Sequence, residues 1–248
     1  MKAAIGSLLV AASLAATGMF ASAQLGVRAG VSFPYHNILR LDQLSLMERY
    51  GLGAYLGADY DIHITDRFSF SPGLYYDFTF VMKAGKSDGY LLDDRQLDHM
   101  IDIPAHFKYE FCLKPDRLAI YLYGGPVLSV GIASTKKGEL RIGRGYDVDI
   151  VYDNYSGTLR DIQSYWWYDL TQEGIRRMCE AVKEQLDNSY LVLNRLDLQF
   201  DCGFGFRFRN HWELNAGYSF GVVNRYKSYY SNSVFRSSRF YVGFGYRF

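Results

Sequence analysis

His106 and Asp102 stand four positions apart in the stretch IDIPAHFKYEF, and Ser129 follows in the next apolar segment. A serine, a histidine and a carboxylate are the parts of a nucleophile, its base and the group that orients the base. Spacing decides against that chemistry. In an extended chain His106 and Asp102 share a face, and a tight turn near 112–118 pairs residues whose numbers sum to roughly 230. Ser129 then lies level with Ile101, and His106 with Gly124. Serine and histidine are some five residues apart along the strand direction, about 16 Å, too far for proton transfer. The expected role of His106 is to satisfy charged neighbours, and no catalysis is expected. No histidine and carboxylate spacing suggests a metal, and no glycine-rich run opens a helix to cradle phosphate, so no cofactor is expected. Cys112, Cys179 and Cys202 form no C-x-x-C pair and read as incidental.

A second group suited to recognition is Tyr165-Trp166-Trp167-Tyr168. Exposed Tyr and Trp suit contact with an external protein or a glycan. The alternative is that they fold over neighbouring structure as a lid. An amphipathic helix is expected to follow from about Leu170 to Leu186, with Ile175, Met178, Val182 and Leu186 on one face and Asp169 or Thr171 as its cap.

The elements that must position these residues follow a period of two. From Phe68 to Phe80, Phe68, Phe70, Pro72, Leu74, Tyr76, Phe78 and Phe80 alternate with small or polar residues. The same alternation runs through Leu25–Phe33, Leu52–Ile62, Ile101–Phe111, Ile120–Ile132, Leu196–Phe208, Trp212–Val222 and Phe240–Phe248. Short links at about 63–67, 112–118 and 209–211 alternate with longer ones at about 34–51, 81–100, 133–195 and 223–239. An even number of strands of about ten residues, with turns at one end and long loops at the other, predicts an all-β fold: an eight-stranded antiparallel up-and-down transmembrane barrel.

Lipocalin-like barrels and β-sandwiches share the period but bury the greasy face. Here the non-greasy face holds Arg28, Asp59, Asp61, Asp77, Asp102, His106, Lys108, Glu110, Asp197, Asp201, Arg207, Glu213, Arg239 and Arg247, while the apolar face is nearly free of charge. Opposed charges can pair in a narrow lumen, whereas a water-facing wall of Phe, Tyr, Leu and Val aggregates. The inward Tyr55, Tyr75, Tyr121, Tyr123 and Tyr241 are expected to fill that lumen, with glycines on the same face making room for their rings.

Bulk properties agree. The 248 residues carry 27 Lys plus Arg against 26 Asp plus Glu, a balance that gives no long-range pull toward nucleic acid. Residues 1–23, MKAAIGSLLVAASLAATGMFASA, carry an early lysine, an apolar stretch and a small-residue cleavage site, the marks of a removable secretory signal. The expected division is a signal at 1–23 and a barrel domain over 24–248 with a loop insertion at about 133–195.

Three motifs carry a family resemblance: LDHMIDIPAHFKYEF at 97–111, YGGP at 123–126 and FDCGFG at 200–205. They resemble strands of the PorT-like outer-membrane β-barrel family, and the resemblance covers the remaining layout more loosely. It implies an eight-stranded barrel in the outer membrane of a Gram-negative bacterium, with outer-membrane lipid around it. The long third loop departs from the compact pattern, so no secretion role is carried over. The closing RFYVGFGYRF is similar to the signal that the barrel-assembly machinery reads, which implies that role for Phe248, Tyr246 and Phe244; a place in the interfacial girdle gives the same sequence. The expected function is structural or interaction-based, with external loops on display. The alternatives are a narrow solute channel and a barrel enzyme acting on lipid or protein.

Overall fold

The computed structural model describes residues 23–40, 45–83, 91–114, 117–142, 146–164, 192–227 and 233–248. Alternation becomes strand throughout: β1 (Ala23–Arg40), β2 (Ser45–His63), β3 (Phe68–Lys83), β4 (Leu91–Lys114), β5 (Leu118–Ile142), β6 (Tyr146–Asp153), β7 (Thr158–Ser164), β8 (Leu196–Phe208), β9 (Trp212–Gly221) and β10 (Ser233–Arg247). Neighbours pair antiparallel, and the barrel runs β1, β2, β3, β4, β5, β8, β9, β10 and back to β1. The eight-stranded closure anticipated from the pattern is present. Closure satisfies backbone groups that lipid cannot.

The seam shows why the alternation of the last strand continues to residue 248. Val27 lies opposite Tyr246 and Gly26 opposite Arg247, and the Phe248 N–H donates to the Leu25 carbonyl at 2.9 Å. Tyr241 and Arg247 point inward and are buried, while Phe240, Phe244 and Phe248 are exposed on the outer face. Elsewhere the outer belt holds Leu56, Leu74, Phe107, Leu122, Phe204 and Leu214, apolar side chains that in the membrane meet acyl chains. Cys112 and Cys202 are free thiols on this outer face.

Turns at the end carrying Ala23 and Phe248 are tight. Thr65 Oγ1 accepts the Phe68 N–H at 3.1 Å, and Arg209 and Asn210 take left-handed φ of 49° and 62° between β8 and β9. A tight hairpin between twisted strands favours that conformation, and asparagine tolerates it. These turns mark the periplasmic end.

At the opposite end three expectations change. The connections expected at 34–51 and 81–100 are largely strand, because β1, β2 and β4 continue past the apolar belt. Within the connection at 133–195, β5 runs on to Ile142, and β6 and β7 add to its edge as a hairpin. Outside lipid both faces of a strand can be polar, so the period of two in hydrophobicity disappears while the ladder of hydrogen bonds continues. The β4–β5 register is also one residue from the expected sum: Asp102 pairs with Ser129, and Phe107 with Gly124. A bulge between His99 and Met100 shifts it again further out.

Candidate functional site

The inward residues form layers along the lumen. Nearest the periplasm, Glu213 on β9 accepts hydrogen bonds from Arg28 Nη2, Arg207 Nε and Arg247 Nε, each at 2.9 Å. Asp61 on β2 lies 2.8 Å from Lys108 Nζ and 2.6 Å from Arg247 Nη1. Asp59 meets Arg28 at 3.0 Å and Arg247 at 3.2 Å, and accepts the Tyr75 hydroxyl at 2.9 Å. Glu110 pairs with Arg207 at 2.5 Å. Carboxylates and cations thus match one for one in a closed lattice that ties together β1, β2, β4, β8, β9 and β10. Ion pairs this dry stabilise only when their remaining hydrogen-bonding capacity is used, and here most of it is.

Above the lattice lies a layer of tyrosines. Tyr55 meets Tyr75 and Tyr241 edge to face, with ring centroids 6.0 and 5.9 Å apart. Tyr123 donates to Tyr241 Oη at 3.0 Å, and Tyr121 is wholly buried. The facing glycines leave the space that the rings occupy: a Cβ on Gly205 would stand 2.3 Å from Tyr121, one on Gly203 2.4 Å from Tyr123, and one on Gly243 2.0 Å from Tyr55. Eight strands enclose a bore that side chains alone can fill.

Further out, Arg239 bridges Asp77 at 2.8 Å and Asp102 at 2.5 Å. His106 Nε2 lies 3.2 Å from Asp201 Oδ2, which also accepts the Tyr241 hydroxyl at 3.1 Å. These groups border a cavity of about 40 Å³. Beyond it, Asp98 accepts from Gln96 at 2.8 Å and from Ser134, and Asp197 accepts from Gln199 at 2.9 Å.

The external mouth is stopped by residues from two connections. Tyr155, on the turn between β6 and β7, packs with Leu193, Phe235 and Tyr226. It reaches so close to the wall that a Cβ on Gly131 would overlap its hydroxyl at 1.9 Å. Arg225, 1% exposed, donates to Ser237 Oγ at 3.0 Å, lies 3.9 Å from Asp197 and stands over the Phe235 ring. The turn is shaped by Asp153, whose Oδ1 accepts the N–H groups of Tyr155 at 2.9 Å and Ser156 at 3.1 Å, and by Gly157 at φ 70°. Partial burial pushes the Asp153 carboxyl up, but those two N–H bonds and Arg160 outweigh it and hold the carboxyl below the usual range. Burial of Tyr155 pushes its phenol up to about 12, so it stays neutral, and its hydroxyl accepts from Arg225 Nη2 at 3.5 Å.

A family profile described as "Outer membrane protein beta-barrel domain" matches residues 16–226. The chain belongs to that outer-membrane β-barrel family. The match ends before β10, the strand that closes this member's barrel. No curated protein matches the sequence. Among solved structures, the chain is similar to neisserial surface protein A, at 13% identity and a TM-score of 0.43 over 92% of this chain and 99% of that one. It is similar to OprG from Pseudomonas aeruginosa at 12% identity, TM-score 0.39, over 91% and 95%. It is also similar to Ail of Yersinia pestis, in a complex with the heparin analogue sucrose octasulfate, at 10% identity, TM-score 0.38, over 91% and 99%.

Against this family frame, the inward charges expected from the sequence do gather in the lumen, and His106 faces Asp201. Lys108 and Arg247 serve Asp59 and Asp61, and Asp197 has Arg225 for a neighbour. Tyr165, Trp166, Trp167 and Tyr168, the helix expected after them and Cys179 lie outside the described residues. Sequence reasoning missed Tyr155, Arg225 and Phe235, which sit in or beside connections where no alternation marks an inward side chain.

Proposed function

We propose that this barrel is a non-conducting display scaffold of the outer membrane, with a structural or interaction role carried by the strands and connections beyond the external mouth. The observation that supports this most is the blocked lumen: ion-pair lattice, tyrosine layer and mouth stopper follow one another along the axis. Such a bore passes no solute, and the chemistry available to a partner is then that of the external surface. There β5, β6 and β7 extend the sheet past the apolar belt, and Lys137 and Arg160 are exposed. The Tyr165–Tyr168 group belongs to the same connection and is proposed as its aromatic contact for an external protein or a glycan. Export through a signal at 1–23, and recognition of Phe248, Tyr246 and Phe244 by the barrel-assembly machinery, complete the proposal. The PorT-like resemblance supports this reading of the layout and adds no activity. No catalytic role is proposed.

A photo-crosslinking amino acid at Lys137 or Arg160, compared with one at the lipid-facing Leu74, tests the display role in native membranes. Discrete protein or glycan adducts from the first two positions and lipid adducts from the third are expected. The same lipid adducts from all three would remove the interaction role.

A further inference from the structure

The cavity in the external half of the lumen is bordered by carboxylates whose oxygens are only half used. Oδ2 of Asp77, Asp102 and Asp201 is taken up by Arg239, His106 and Tyr241, but Oδ1 of each has no hydrogen-bond partner in the protein. The three residues are 1%, 3% and 3% exposed. Bare carboxylate oxygens in a dry interior are costly unless a positive charge or water answers them. Every other ionisable group that borders the cavity is accounted for. Arg28 from β1 is engaged by Asp59 and Glu213, Arg239 from β10 already bridges Asp77 and Asp102, and Tyr55, Tyr75 and Tyr241 from β2, β3 and β10 are phenols. His106 from β4 answers Asp201 alone. Further out, Asp98 and Asp197 add negative charge and Arg225 offsets part of it. Among the described residues the periplasmic lattice, by contrast, leaves no carboxylate oxygen of Asp59, Asp61 or Glu213 bare.

We propose that this cavity binds one small hydrated monovalent cation, a sodium ion, as the missing counter-charge to Asp77, Asp102 and Asp201. The volume of about 40 Å³ suits a few water-sized groups. Among the described residues no set of three or more His, Cys, Asp or Glu side chains is arranged to ligate a metal directly, so the ion keeps water between itself and the carboxylates. A positive charge answers the excess of carboxylate that Arg239, shared between Asp77 and Asp102, leaves.

The test compares thermal unfolding of the refolded full chain in detergent micelles, in sodium chloride and in choline chloride at equal ionic strength, at several pH values. If sodium is the occupant, it raises the midpoint over choline by about 2–4 °C, and Asp77→Asn, which removes one carboxylate charge, abolishes the gain. If one of the carboxylates is instead neutralised by a proton of its own, the two salts behave alike at every pH, which overturns the site. Asp201→Asn serves in the same way should Asp77→Asn not refold. A sodium gain that both variants retain in full overturns it as well.

Discussion

In the periplasmic half of the lumen Glu213 is met by Arg28, Arg207 and Arg247, and Asp59 and Asp61 are each reached from several strands. In the external half Asp77, Asp102 and Asp201 share Arg239 and His106 and keep an oxygen each without a partner. The residue types are alike, yet one half is neutralised side chain by side chain and the other is left acidic beside a cavity. The mouth beyond it is closed by packing of Tyr155, Leu193 and Phe235 and by Arg225. The difference shows that ion pairing closes the bore at one end, whereas loop side chains close it at the other. The two halves should therefore fail differently.

The largest expected effect comes from Glu213→Gln, which removes the carboxylate that Arg28, Arg207 and Arg247 share and leaves the buried lattice with one cation in excess; it should cost about 3–5 kcal/mol, read as a lower urea midpoint for the heat-modifiable folded band. The matching change in the external half, Asp77→Asn, should cost far less, since Arg239 keeps Asp102. Equal losses would erase the contrast between the halves.

Glycine substitutions sharpen it next. Gly205→Ala presses on Tyr121, which is wholly buried and walled on all sides, and should cost about 1–3 kcal/mol through overpacking. Gly131→Ala meets only the far end of Tyr155, on a turn that can retreat, so the barrel keeps its urea midpoint while the mouth loosens. Faster protease cleavage at residues 154–157 in that variant is the expected sign.

The smallest effect concerns acid. The Asp153 carboxyl titrates below its unfolded value of about 3.9, so its contribution to the turn is fully present above that pH and is lost as pH falls through the lower folded value. Amide exchange at Tyr155 and Ser156 should quicken over that acid range, and Asp153→Asn should remove the pH dependence. A turn equally protected at all acid pH values would show that the Asp153 bonds do not hold it.

Much of this was legible beforehand, and the reason is lipid. Phe240, Phe244 and Phe248 alternating with Tyr241 and Arg247 can be read only one way when one face must be apolar, and the same constraint marked Asp59, Lys108 and Glu213 as inward. That Gly203, Gly205 and Gly243 share the inward face with the tyrosines could likewise be read. Outside lipid the constraint lapses. The continuation of β4 and β5, the β6–β7 hairpin and the inward turn of Arg225 follow from hydrogen-bond ladders and loop packing that leave no period in the sequence. The particular pairings, such as Arg247 with Asp59 and Asp61, depend on the shear between strands, which alternation does not encode.

The central claim is that the lumen is closed at both ends. Purified full-length protein in a planar lipid bilayer tests it most directly: the structure predicts no steady single-channel current at moderate voltage. Reproducible conductance steps from the wild-type protein, altered by Tyr123→Ala or Arg207→Ala inside the bore, would contradict it.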